Sequence, residues 1–292
     1  MPAYSLITLT HNRLPWTQRC LPTWLDGADA DWELIVVDNG STDGTPAWLA
    51  EQVAPAAAAR GIDLRLIRNA DNLGCSTARN QGIAAARGAW LAFMDNDVAL
   101  RSRHWLSRLR RTIESVPRAA LAGPKLLYPV PPYAIQCAGA GISSTGRVSF
   151  LGRGQARETP ACNRLAPVQC LISACLLARA EAVRDAGGFD ESYNPVQFED
   201  FDLCYRMRAG GALALYQPAV EMYHFESTTT QGTASLHNPA VVVRNGLTFK
   251  RRWRPLFSAE NGPEPETRRW RHVVLPPPQT VAPLPVDEEM SI

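Results

Sequence analysis

The sequence predicts an α/β protein with a mostly parallel central sheet and helices on both of its faces. Two observations predict it. In the first hundred residues, short β-branched and apolar runs alternate with segments whose apolar residues recur at helical spacing. Consecutive runs are separated by helices, and strands joined that way pair in parallel and are covered on both faces.

Tyr4–Thr10 is the first such run and reads as a buried strand. Thr17, Cys20, Leu21, Trp24 and Leu25 then repeat at helical spacing. Residues 34–37 form a second short strand ending at Asp38, followed by the dense turn Asn39-Gly40-Ser41-Thr42-Asp43-Gly44. Thr45-Pro46 predicts an N-cap with proline at the first helical position, and Trp48, Leu49 and Val53 continue that helix. Residues 64–67 are a third strand. Residues 76–86 are an alanine-rich helix stopped near Gly88, and Trp90–Met94 is the fourth strand. Thr10, Asp38 and the triplet Asp95-Asn96-Asp97 all fall at carboxyl ends of strands, where sheets of this class bind ligands.

Composition narrows the options. The 292 residues suffice for one large domain or two small ones, and 46% hydrophobic with 20% charged residues is ordinary for a globular protein. A net charge of +2 does not point to nucleic acid as a partner. No apolar run approaches the roughly 18–20 residues that span a bilayer. Met1-Pro2-Ala3-Tyr4 enters a strand directly, so no signal peptide is expected. Seven cysteines carry no Cys-x-x-Cys pair, and Cys162, Cys170 and Cys175 lack a fourth ligand at zinc spacing. Buried reduced thiols in a cytoplasmic setting are the expectation.

Two carboxylates one residue apart, Asp95 and Asp97, can both reach one divalent cation such as Mg²⁺ or Mn²⁺ and leave places for phosphate oxygens. Alone, Asp-x-Asp also describes a solvated turn. The rest of the chain decides. Leu9-Thr10-His11-Asn12-Arg13 and Val37-Asp38-Asn39-Gly40-Ser41-Thr42-Asp43-Gly44-Thr45 come first. Asn72-Leu73-Gly74, Ala78-Arg79-Asn80-x-Gly82 and Phe93-Met94-Asp95-Asn96-Asp97 follow, then Gly187-Gly188-Phe189-Asp190, Phe198-Glu199-Asp200-Phe201-Asp202-Leu203 and Tyr223-His224. In order and spacing these segments resemble the inverting family 2 glycosyltransferases, in a branch of bacterial rhamnosyl- and galactofuranosyl-type enzymes. The resemblance covers roughly residues 4–253.

It implies a GT-A fold and one continuous domain over residues 1–255. Residues 1–100 would form its nucleotide-sugar half and 101–255 its acceptor half. It implies a nucleoside-diphosphate sugar donor, a glycan or lipid-linked glycan acceptor, and Mg²⁺ or Mn²⁺. Asp97 is implied as a direct metal ligand. Asp95 is shared between ribose or metal, with Asn96 between the two. His224, after a late strand at residues 213–220, completes the metal site in one branch of the family, although a lone His there also suits a packed core. Asp38 is implied as the acceptor for a uracil or thymine ring N–H; it also reads as a turn-stabilising residue. Leu9 and Thr10, with Asn12 and Arg13, would line the base pocket, and Thr10 also reads as a strand-end residue only. Arg79 suits diphosphate oxygens or an ordinary salt bridge.

The attacking hydroxyl must lose a proton, and Glu199, Asp200 and Asp202 are the acidic cluster that can take it. Like charges this close favour one protonatable member. Asp200 matches the family's base and Glu199 an acceptor-orienting partner. Asp202 is expected to cap the helix or pair with Arg206 at i+4. The helix over residues 203–209 stops at Gly210-Gly211.

Residues 128–167, rich in glycine, are expected as loops and short strands over the acceptor side. Residues 227–230 are expected to close over the diphosphate. Residues 256–292 read as a Pro-rich, extended or flexible tail. The basic-aromatic segments Lys250-Arg251-Arg252-Trp253-Arg254 and Arg268-Arg269-Trp270-Arg271 suit either a solvated helix end or peripheral contact with an anionic membrane surface. Two rivals stand beside this reading. A sugar-nucleotide nucleotidyltransferase would want a Gly-rich loop after the first strand, where His11-Asn12-Arg13-Leu14-Pro15 stands instead. A non-catalytic nucleotide-sugar-binding protein would need no acceptor base.

Overall fold

β1 (Tyr4–Thr10) is an inner strand of a ten-stranded sheet. The structure is a computed structural model and describes residues 1–27, 31–225, 239–260, 262–263 and 276–287. β1 pairs in parallel with β2 (Trp32–Asn39) and β4 (Trp90–Met94), and β2 with β3 (Asp63–Asn69). The register sets Thr10 beside Asp38 and Asp38 beside Arg68, so these carboxyl ends lie level.

Beyond β4 the sheet becomes mixed. β11 (Cys175–Arg179) lies antiparallel to β4 and to β6 (Ala119–Leu127), and β6 pairs in parallel with the long β12 (Leu213–His224). Short strands complete this half. β5 (Val98–Leu100) and β10 (Ala166–Val168) pair with β12, and β7 (Ile135–Cys137) pairs with β6. β8 (Ala140–Ile142) and β9 (Val148–Phe150) form a separate hairpin. The three longest ladders, β1–β2, β2–β3 and β6–β12, are all parallel.

Helices cover both faces. α1 (Leu14–Gly27), α2 (Thr45–Trp48), a π-helical turn at Leu49–Val53, α3 (Ala54–Ala59) and α5 (Trp105–Ser115) pack on one face. α4 (Cys75–Ala85), α6 (Ala180–Asp185), α7 (Glu199–Ala209) and α8 (Pro239–Ala259) pack on the other. Alternation along the inner strands feeds two cores: Leu6, Leu34 and Val36 face one, Ile7 and Ile35 the other. α1 buries the five residues its spacing predicts: Thr17, Cys20, Leu21, Trp24 and Leu25. Gly82 lets α4 close on β1, because a Cβ there would come within 2.3 Å of Ile7 Cγ2.

Three expectations are corrected. Thr45 is not an N-cap: it is the first residue of α2, and Gly44 caps without a side-chain bond. Asp43 does the work instead, accepting from the amides of Thr45 and Leu14 and so tying the starts of α1 and α2 together. The boundary expected at 255 falls inside α8, which runs through Pro255. Residues 276–287 are not simply an extended tail. Arg19 donates to the carbonyls of Val281 and Ala282, Arg101 pairs with Asp287, and Tyr223 donates to the Pro285 carbonyl. The segments 227–230 and 268–271 lie outside the described residues. Among those described, no helix is long and apolar enough to cross a membrane.

Candidate functional site

Beyond the carboxyl ends of β1, β2 and β4 lies a cleft of about 380 Å³. One wall carries Leu9, His11, Asn39, Asn72 and the 95–97 turn; the other carries Val148, Phe150, Ile172 and residues 196–201. The first wall is polar and the second mostly apolar.

Asp95-Asn96-Asp97 leaves β4 as a tight turn. Three main-chain bonds hold it: Asp95 N–H donates to Ala174 O, Val98 N–H to Asp95 O, and Phe225 N–H to Asp97 O. The pairing of β5 with β12 sets His224 opposite Val98, which brings a residue distant in sequence beside Asp97. His224 Nε2 lies 3.3 Å from Asp97 Oδ1, and both residues are buried. Asp95, Asp97 and His224 each place one ligand atom within 4.8 Å of the others. Two carboxylates and an imidazole suit a hard to borderline divalent cation, Mn²⁺ better than Mg²⁺ because of the imidazole.

Glu199 and Asp200 open α7. The two residues before them, Gln197 and Phe198, have φ of 84° and 73°, a left-handed conformation that non-glycine residues adopt only when held there. Asn245 of α8 holds the turn, its amide nitrogen donating to the carbonyls of Tyr193, Val196 and Gln197. Asp200 accepts from the amides of Ser173 and Phe201. Burial, and then the neighbouring Glu199 carboxylate, push its pKa up to about 7, against the weaker pull of Arg79. A half-buried carboxyl titrating there can accept a proton near neutrality. Cys75 also lines the cleft, but burial pushes its thiol up to about 12, which leaves it a poor nucleophile.

Arg79 joins the two clusters. Its Nη2 donates to Asp95 Oδ1 and its Nη1 to Glu199 Oε1, both at 2.9 Å, and its side chain is buried. It is therefore a buried rather than an exposed ion pair: each terminal nitrogen carries a carboxylate, and the guanidinium has five N–H donors in all. Glu199 Oε2 is buried without a hydrogen-bond partner.

Other predicted residues fall in different places. Leu9 lines the cleft. Thr10 turns to the other side of β1, where its hydroxyl donates to Asn12 O and accepts from Asn96. Asn96 reaches the cleft, but its amide nitrogen is held by Thr10 and Thr17, so it braces the turn. Asn12, at φ 59°, accepts from the amides of Thr42 and Asp43 and shapes the loop after β2. Arg13 shares that left-handed turn, with φ of 65°. Asp38 stabilises the turn with one oxygen only: Oδ1 accepts from the Ser41 amide, while Oδ2 is buried with no hydrogen bond and has Arg68 Nε at 3.8 Å. Asp202 is fully buried and receives Arg206 as its i+4 partner, plus Tyr193, Arg252 and Trp253. Two of the five residues of the first basic-aromatic cluster, Arg252 and Trp253, thus bond inward to Asp202.

Sequence reasoning missed Gln136, Asn245 and His11. The first two lie on elements with no motif. His11 Nδ1 donates to the Asn39 carbonyl in the cleft wall, and a histidine inside the first motif was the signal available.

Residues 5–132 match the family model Glycosyl transferase family 2. The chain is 30% identical over 253 residues to N-acetylglucosaminyl-diphospho-decaprenol L-rhamnosyltransferase of Mycobacterium tuberculosis, covering 80% of this chain and 79% of that protein. It is 33% identical over 170 residues to the Pre-mycofactocin glycosyltransferase of the same species, covering 57% of this chain and 33% of the relative. It is 30% identical over 239 residues to the uncharacterized protein y4gI of Sinorhizobium fredii, covering 77% of this chain. The chain spans only 24% and 33% of the lengths of y4gI and the mycofactocin relative. Among solved structures, GalNAc-T7 with UDP, GalNAc and Mn²⁺ superposes with a TM-score of 0.67 at 15% identity, over 86% of this chain and 48% of that one. The mannosyltransferase PcManGT of Pyrobaculum calidifontis, with GDP-Man and Mn²⁺, gives 0.62 at 18%, over 89% and 69%. The chain belongs to glycosyl transferase family 2 and has the GT-A glycosyltransferase fold.

Proposed function

We propose that this chain is a metal-dependent inverting glycosyltransferase. It moves a sugar from a nucleoside-diphosphate sugar, UDP or dTDP favoured, to a hydroxyl of a glycan or lipid-linked glycan by single displacement. One observation carries the reading: the Asp95, Asp97 and His224 ligand set and the Glu199–Asp200 pair share one cleft and are bridged by Arg79. A divalent Mg²⁺ or Mn²⁺ held by the first set supplies electrostatic stabilisation of the departing diphosphate. Asp200 takes the proton of the attacking hydroxyl. Glu199 orients the acceptor through its unpartnered Oε2. Asp38 Oδ2 accepts from a pyrimidine ring N–H, with Leu9 against the base.

The lipid-linked acceptor is supported by a relative that is named for a decaprenol-linked substrate and by α8. Val243 and Leu247 are exposed on that helix, and Arg251 and Arg254 continue the same face at helical spacing. On this reading the protein works in the cytoplasm, in peripheral contact with an anionic membrane.

The test is incubation with labelled UDP-, dTDP- and GDP-sugars, Mn²⁺ and extracted glycolipids in anionic vesicles. Transfer with an inverted anomeric centre, lost in EDTA, is expected. A retained configuration rejects single displacement, and full activity in EDTA rejects the metal.

A further inference from the structure

We propose that Gln136 is a positioning residue of the metal site, fixing the tautomer and rotation of His224. Gln136 is fully buried on β7, outside every segment that carries a motif. Its amide makes two bonds to one residue. Nε2 donates to the His224 carbonyl at 3.1 Å, and Oε1 lies 2.7 Å from His224 Nδ1.

The first bond decides the second. A carbonyl oxygen can only accept, so the amide nitrogen must face it and Oε1 must face the ring. Nδ1 then has to carry the hydrogen, because Oε1 offers only lone pairs. In the neutral imidazole that leaves the Nε2 lone pair facing the acceptor Asp97 Oδ1, 3.3 Å away, an opposition that a cation held between the two would relieve. The reverse tautomer would set two lone pairs against each other in a site with no exposed surface on Gln136, where an unmade bond is expensive. Rotation is fixed as well, since a ring flip would present carbon to the amide oxygen.

The chemistry of the partner also matters. A carboxylate behind the ring would raise its basicity and tighten metal binding. A neutral amide orients the ring without adding charge, which suits a cation that must exchange with nucleotide. β7 pairs with β6, and β6 pairs with β12, so the amide and the ring are carried by neighbouring ladders of one sheet.

The inference rests on the metal-dependent reading, and its test separates the two. In metal-free wild type, ¹⁵N-histidine NMR at alkaline pH should show His224 protonated on Nδ1 and bare on Nε2. Calorimetry with Mn²⁺ alone should show roughly 10–100-fold weaker binding in Gln136→Met, as for other lost partners of ligating histidines. Gln136→Glu loses the donor to the His224 carbonyl but keeps an acceptor for Nδ1, and as a carboxylate it should bind Mn²⁺ at least as tightly as wild type. An Nε2–H tautomer in wild type, or unchanged Mn²⁺ affinity in Gln136→Met, overturns the proposal. Wild type that binds no Mn²⁺ overturns the metal reading instead, and the tautomer still decides the role of Gln136. Should Gln136→Met fail to fold, the wild-type spectrum and Gln136→Glu carry the test.

Discussion

The two carboxylate clusters that face each other across the cleft are held in opposite ways. The 95–97 turn follows a fully buried strand, and main-chain bonds from three segments fix it. The 197–200 turn enters its helix through two left-handed residues, and one distant side chain, Asn245, satisfies its carbonyls. The first is a regular feature of sheet topology. The second is strained and depends on a helix elsewhere in the chain. Two short links join them: Arg79 between Asp95 and Glu199, and the adjacent residues 173 and 174, whose Ser173 amide holds Asp200 while the Ala174 carbonyl holds Asp95. A charge site should be stiff, since its geometry selects the ion. A proton acceptor can sit where strain and burial raise its pKa.

The sharpest way to break this comparison is Asp200→Asn. The amide keeps the size of the carboxyl but cannot take a proton. Transfer should fall roughly 10²–10⁴-fold while Mn²⁺ and nucleotide affinities stay near wild type. The wild-type rate should rise as pH passes upward through about 7, where Asp200 loses its proton, and the variant should lack that limb. Stability changes the other way. The folded pKa of about 7 lies above the ordinary 3.8, so stability from the Asp200 proton is present below pH 3.8 and lost as pH rises through about 7. Above that pH the variant should melt no lower than wild type. A pH limb retained in Asp200→Asn would move the base to Glu199.

Asp97→Ala tests the stiff side. It should remove about 3 kcal/mol or more of transition-state stabilisation, with Mn²⁺-dependent nucleotide binding lost by calorimetry. The fold should persist, because the turn is held by main chain.

How much of this was legible follows from where each residue's partners lie. Asp38, Asp95, Asp97, Glu199 and Asp200 stand in local motifs at strand ends or a helix start; strand periodicity placed the first three, and the family resemblance singled out the last two. Arg79 was visible, but its partners were not: nothing in sequence says that α4 sets one guanidinium between a strand end and a helix 120 residues on. Gln136 and Asn245 act through pairings of β6, β7 and β12 and the docking of α8, which no local pattern encodes. Thr10 and Asn96 show the converse. They sit inside motifs, yet alternation along β1 turns Thr10 away from the cleft, and Asn96, although it reaches the cleft, commits its amide nitrogen to Thr10 and Thr17.

Asn245→Ala then probes the strained side directly. Three carbonyls lose their donor, so denaturant unfolding should show a loss of about 1–3 kcal/mol. Turnover should drop while Mn²⁺ affinity holds, because the metal turn has no bond to Asn245. Equal loss of both would mean that the two clusters are one cooperative unit, coupled through Arg79.

The smallest expected effect lies at the end of β2. Asp38 already spends one oxygen on the Ser41 amide, so mutation to alanine would confuse a lost turn with a lost ligand. Asp38→Asn separates them. Its oxygen can keep the Ser41 bond, while its nitrogen stands where Oδ2 is now buried without a hydrogen bond. A donor facing the ring N–H of uracil or thymine is repelled, so the preference for uridine and thymidine diphosphates over guanosine diphosphate should shrink about tenfold, near 1.4 kcal/mol. Melting temperature should hardly move. An unchanged preference with unchanged stability would confine Asp38 to the turn. Guanosine diphosphate as the tightest ligand of wild type would instead require a purine edge pattern and remove the pyrimidine assignment.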